Sequence, residues 1–168
     1  MKREYRYGFI CAAGLSLWVL IEFALGFHTT SFDIGRYSGY LSFVVPVIVI
    51  FIALMEEQSI THHRISLKAG VNTGFQIAII SAVLFTLFMV IYNAYINPHW
   101  IDSLIEWQRR QLILGGATND DIERFVEQNR RMNNAFGQGI MNFMGTTGIG
   151  VVITLIEIPI VRMLGKKG

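Results

Sequence analysis

The chain has 168 residues, 52% of them apolar and only 15% charged, with a formal net charge of +2 and a mean hydropathy of +0.45. Soluble globular domains carry about 25% charged residues, so this composition excludes that class and points to a membrane protein. The small positive balance does not mark a nucleic-acid binder, because Lys and Arg gather at the ends of apolar runs and form no phosphate-binding patch.

A helix needs about 20 mostly apolar residues to cross the hydrocarbon core of a bilayer. Four runs meet that length, at about residues 8–27, 37–55, 70–96 and 140–164. Runs such as FVVPVIVIFIAL lack the strict alternation of barrel strands. The fold class read from the sequence is an all-α integral membrane protein, one domain over residues 1–168, with four transmembrane helices. An extramembrane amphipathic helical hairpin at 97–138 is expected between helices 3 and 4.

In chain order, a basic flank (Lys2, Arg3, Arg6) precedes GFICAAGLSLWVLIEFALGF. This run has some features of a signal peptide, but its core is long and Glu22 interrupts its end. Cys11 is the single cysteine, which rules out an internal disulfide. The link HTTSFDIGR leads into the second run, where Pro46 is expected to kink the helix. In the next link His62 and His63 are neighbours, point apart on a helix and lack carboxylate company, so no metal site is expected. The third run contains Asn72, Gln76 and Asn93 and ends in an aromatic belt of Tyr92, Tyr95 and Trp100. Gly70 and Gly74, and Gly145, Gly148 and Gly150 in the fourth run, are expected to serve close helix packing.

The arm at 97–138 holds half of the acidic residues. Pro98 suits a first helical position, and Trp100, Ile101, Leu104, Ile105 and Leu112 recur at helical spacing. Gly115 and Gly116 stop that helix, with Gly115 expected at positive φ. Thr118 is the expected N-cap of a second helix, with Asp120, Asp121 and Glu123 in its first turn and Ile122, Phe125, Val126, Met132 and Phe136 on one side. Packing of this hairpin on itself and on its own membrane domain is the first expectation. Trp100, Leu104, Trp107, Phe125 and Phe136 are the candidate surface for a partner protein or the bilayer.

Eight of the fourteen Lys and Arg residues lie in the N-terminal flank, the second link and the C-terminal tail. The other six lie in the first link and in the arm, where acids balance them. That distribution puts both termini in the cytoplasm and the arm outside.

Charges inside a membrane are costly, so Glu22 and Glu157 are the first candidate functional residues. At about 1.5 Å rise per residue they differ in depth by roughly 15 Å, too far to share a proton. Asn93 has the depth to meet Glu22, with Tyr40 and His28 as alternatives. Gln76 or Asn72 has the depth to meet Glu157, with Arg162 about a turn and a half away. The two readings of this candidate intramembrane polar cluster are helix packing and a stepped proton or cation path. The sequence has no Gly-rich phosphate loop, no GxSxG and no HExxH. No enzyme, cofactor or metal is therefore expected.

The basic start with YGFICAAGLSLWVLIEF, the entry ISLKAGVNTGF and the run INPHWIDSLIEWQRRQLILGGATNDDIERFVEQ together resemble a known family. It is the four-helix bacterial membrane proteins called domain of unknown function 4199, of the Bacteroidota type. The resemblance implies an inner-membrane protein with four spans and an outward hairpin, and implies no activity. The expected function is that of a non-enzymatic inner-membrane accessory or interaction protein acting through its outer hairpin. The alternative is a small oligomeric transporter or channel that uses Glu22 and Glu157 for protons or a cation. The expected partners are the lipid bilayer, a membrane or periplasmic protein, or further copies of the chain, and no nucleic acid.

Overall fold

The computed structural model describes residues 2–61, 64–132 and 135–165, with the side chains of 61, 135 and 136 left aside. His62, His63, Lys166, Lys167 and the Phe136 side chain thus lie outside the described residues. Within them the chain is helical: α1 (Arg3–Ala24), α2 (Phe32–Leu41), α3 (Val44–Thr61), α4 (Leu67–Ile91), α5 (Trp100–Leu114), α6 (Asn119–Met132) and α7 (Ala135–Leu164). A π-helical turn, Tyr92–Ile96, extends α4. Four segments are long and apolar enough to cross a membrane: Arg3–Ala24, Phe32–Ile60, Leu67–Ile96 and Gly137–Leu164.

The second span begins earlier than its apolar run and breaks in its middle, and Pro46 explains the break. Proline offers no N–H to the carbonyl four residues back and its ring crowds that carbonyl, here Ser42. The Ser42 carbonyl accepts instead from Val45 N–H at 3.1 Å, and the chain turns between α2 and α3.

α4 packs most extensively on α7 and next on α1. The α4–α7 seam is antiparallel and made of small residues at intervals of four. Gly70 lies against Ile158, Gly74 against Thr154, and Ala78 against Gly150. Backbones can approach this closely only where side chains are minimal, which is the basis of small-residue packing between membrane helices. The packing role expected for Gly70, Gly74 and Gly150 is thus met, whereas Gly145 and Gly148 face open space. α1 runs parallel to α4, with Gly8 against Ile80 at one end and Phe23 against Tyr92 at the other.

The four long apolar segments alternate in direction, which leaves two unlike ends. At the terminal end, near both chain termini, Arg3 pairs with Glu57, and Arg6 pairs with Glu56 at 2.5 Å. Gln58 Nε2 donates to the Val161 carbonyl, and Arg162 Nε to the Ile65 carbonyl. The arm end carries α5 and α6. α5 starts at Trp100 with His99 as its cap residue, two positions later than Pro98 suggested.

At the turn between α5 and α6 the expectation for Gly115 is corrected: its φ is −78°, and Gly116 takes φ +77°. Ala117 N–H bonds the Leu112 carbonyl and Gly116 N–H that of Ile113. This is the two-bond C-cap in which the left-handed residue is the second beyond the last helical one. Thr118 caps α6 as expected, its Oγ1 accepting from Asp121 N–H and donating to the Asp121 carboxyl.

Candidate functional site

At the arm end α1 finishes in the same kind of cap. Gly26, at φ +78°, lets Phe27 N–H reach the Glu22 carbonyl and Gly26 N–H that of Phe23. The three N–H groups of Thr29, Thr30 and Ser31 then converge on the Gly26 carbonyl. This tight reversal carries His28 back over the helix it has just left, and its Nε2 lies 3.3 Å from a Glu22 carboxyl oxygen. The other Glu22 oxygen accepts from Ser38 of α2 at 2.5 Å. His28 Nδ1 is 2.7 Å from the Tyr92 hydroxyl, and Asn97 Nδ2 reaches the same hydroxyl at 3.3 Å. Tyr92 is fully buried, at 0% exposure, where the π-helical turn begins. That turn brings Asn97 N–H onto the Tyr92 carbonyl at 2.8 Å and so aims the Asn97 side chain inward.

Glu22 therefore meets His28, one of its alternatives, and not Asn93. The Asn93 amide donates to Gln138 at the start of α7. Tyr40 is exposed, with its ring against Phe43. Ser38, Asn97 and the role of Tyr92 were not read from the sequence. Trp18 was not either, although its indole N–H lies close to the Glu22 carboxyl without bonding it.

Glu22 and His28 of this group border a partly open cavity of about 370 Å³ lined by α1, α2, α3, α4, α5 and α7. Its walls are mainly apolar and aromatic, and it extends inward to Cys11, Ile50 and Gly150. The candidate surface residues Trp100, Leu104 and Trp107 form its roof. Trp100 lies on His28 with ring centroids 5.1 Å apart, and Trp107 stacks on Phe32 at 6.1 Å. The apolar side of α5 is thus turned onto the bundle. Phe125 on α6 is half-buried.

Glu157 is off this wall and is buried, at 5% exposure. The proposed pairing with Gln76 or Asn72 is corrected: neither Glu157 oxygen has a hydrogen-bond partner among the described residues. Asn72 is exposed and Gln76 half-buried. The reason is angular. With 3.6 residues per turn, a residue two positions on lies about 200° around the helix. Because Gly70 and Gly74 face α7, Asn72 and Gln76 face away from it. Arg162 bonds a backbone carbonyl and not Glu157.

No curated protein and no solved structure matches the chain. Residues 6–157 match the family described as "Protein of unknown function (DUF4199)", and the chain belongs to that family.

Proposed function

We propose that this is a non-enzymatic, multi-pass protein of the bacterial inner membrane that contacts a membrane or periplasmic protein through the tip of its outer arm. Four helices of spanning length support the membrane setting. So do large apolar side chains exposed around the bundle, such as Phe9, Leu17, Leu87 and Val152. The excess of Lys and Arg in the short segments at the terminal end supports cytoplasmic termini and an outer α5–α6 arm.

The observation that carries the contact reading is at the turn between α5 and α6. Leu114 is 81% exposed and Ile113 is 48% exposed. Beside them runs a groove lined by Ile113, Val126, Arg109 and Arg130. An uncovered apolar pair with a charged rim on a polar arm suits a protein surface.

The test is co-purification from native membranes in mild detergent. The paired change Ile113→Glu and Leu114→Glu should release a specific co-purifying protein while leaving the chain monodisperse. An unchanged set of co-purifying proteins counts against the reading. Reporters fused after Gly168 and within 28–36 should give cytoplasmic and periplasmic signals respectively. Reversed signals would invert the orientation.

A transporter is the second reading, favoured by a cavity that reaches Glu22. It is weaker, because Glu157 is off that wall and no stepped route joins the two carboxyls there.

A further inference from the structure

We infer that the cavity is a binding site for a lipophilic organic cation, an apolar molecule carrying a protonated amine or quaternary ammonium whose charge rests against Glu22. The inference is independent of the contact at the arm tip, since Ile113 and Leu114 are not on the cavity wall.

The void itself comes first. Protein interiors are close-packed, with few voids larger than a water. Here about 370 Å³ stays open within the helices, inside the range of roughly 300–1,000 Å³ usual for small-molecule sites. Packing alone gives no reason for it. The chain has three tryptophans, and all of them, Trp18, Trp100 and Trp107, border this space. Indole faces carry partial negative charge and attract cations, most strongly where water is excluded.

The polar end is built around negative charge. Asn97 Nδ2 donates to the Tyr92 oxygen, which leaves the Tyr92 O–H free to donate to His28 Nδ1 in the tautomer protonated at Nε2. His28 Nε2–H then points to Glu22. In this arrangement the imidazole uses one nitrogen as acceptor and the other as donor, and adds no charge. Ser38 donates to the second Glu22 oxygen, and the Trp18 N–H stands close by. His28 Nε2 and the Ser38 hydroxyl, the latter also 3.0 Å from the Gly35 carbonyl, are both placed to donate to Glu22, and a carboxyl that only accepts is an anion. Arg36 also borders the cavity but is engaged elsewhere. Its Nη2 bonds the Tyr37 hydroxyl at 2.5 Å and its guanidinium lies 4.5 Å over the Tyr37 ring. A carboxylate in an apolar, aromatic chamber, met by hydroxyl and imidazole donors and, among the described residues, by no Lys or Arg, is complementary to an apolar molecule bearing one positive group.

The experiment uses the full chain in phosphatidylcholine nanodiscs titrated with octyltrimethylammonium. Tryptophan emission is the readout, because every indole borders the cavity. A saturable change is expected with this compound, and none with octyl sulfate or octanol. Glu22→Gln keeps an acceptor for Ser38 and should weaken binding at least tenfold. Thr146→Phe fills the cavity from the α7 wall and leaves the carboxyl in place, and should abolish saturation; it decides alone if Glu22→Gln does not fold. The proposal is overturned by no saturable response in the native chain, by equal responses to all three compounds, or by undiminished binding in the folded variants.

Discussion

Gly74 and Thr154 approach so closely across the α4–α7 seam that a Cβ on the glycine would collide with the threonine side chain. Gly74→Val is therefore expected to destabilise the bundle by about 1–3 kcal/mol through overpacking. Gly145→Ala and Gly148→Ala meet nothing within 4 Å and should gain roughly 0.5–1 kcal/mol of helix propensity each. Thermal unfolding in detergent separates the two groups. Similar losses at all three positions would show that the seam is not where the tight contact lies.

His28 bonds Tyr92 and Glu22 at once, so His28→Ala leaves two buried groups without that partner. Glu22 keeps Ser38 and Tyr92 keeps Asn97, so the loss is that of two hydrogen bonds, about 0.5–1.5 kcal/mol each. The fall in stability should exceed that of Ser38→Ala, which removes one donor. In a Tyr92→Phe background the cost of His28→Ala should shrink, since one of its two bonds is already gone. Additive losses would mean that the His28–Tyr92 contact carries no energy.

Glu157 has nothing to bond among the described residues, which reverses the stability effect a packing role would predict. Glu157→Leu should raise the unfolding temperature, because it removes a buried polar group whose desolvation is uncompensated, a cost of about 1–3 kcal/mol. A lower unfolding temperature, or loss of a proton-dependent flux in reconstituted vesicles by folded Glu157→Gln, would give this carboxyl a working role.

Gly116, at φ +77°, closes α5. Gly116→Ala should cost about 1–2 kcal/mol, the penalty of a left-handed conformation for a residue with a Cβ. Gly115→Ala, at an ordinary φ of −78°, should be nearly neutral. Hydrogen exchange at Ala117 and Gly116, whose amides make the cap bonds, is the local readout. Equal exchange in the two variants would contradict the assignment.

The four long apolar helices and the glycine turn are legible in the sequence because length, apolarity and glycine each impose a local requirement. Side-chain partners were less so, because depth along a helix fixes a level and leaves the direction around it open. Asn93 was placed at the level of Glu22, yet it faces Gln138. His28 lies past the end of α1, and only the reversal at Gly26 returns it to Glu22. For Glu157 the deciding signal lies in two separate features of α4. Gly70 and Gly74 named the face of α4 that packs, and Asn72 and Gln76 are on the other side. Pro46 predicts a kink, and the break lies four residues earlier, at the carbonyl whose helical donor it removes and which bonds Val45 N–H instead.

The two ends of the bundle are fastened differently. Near the termini, Arg3 with Glu57 and Arg6 with Glu56 tie α1 to α3, while Gln58 ties α3 to α7. At the other end α1 is held to α2 by the Glu22–Ser38 bond, and Trp107 of α5 rests on Phe32 of α2 by ring contact. The terminal end is thus pinned by ion pairs and the cavity end by hydrogen bonds and ring contacts, so dissolved salt bears mainly on the first.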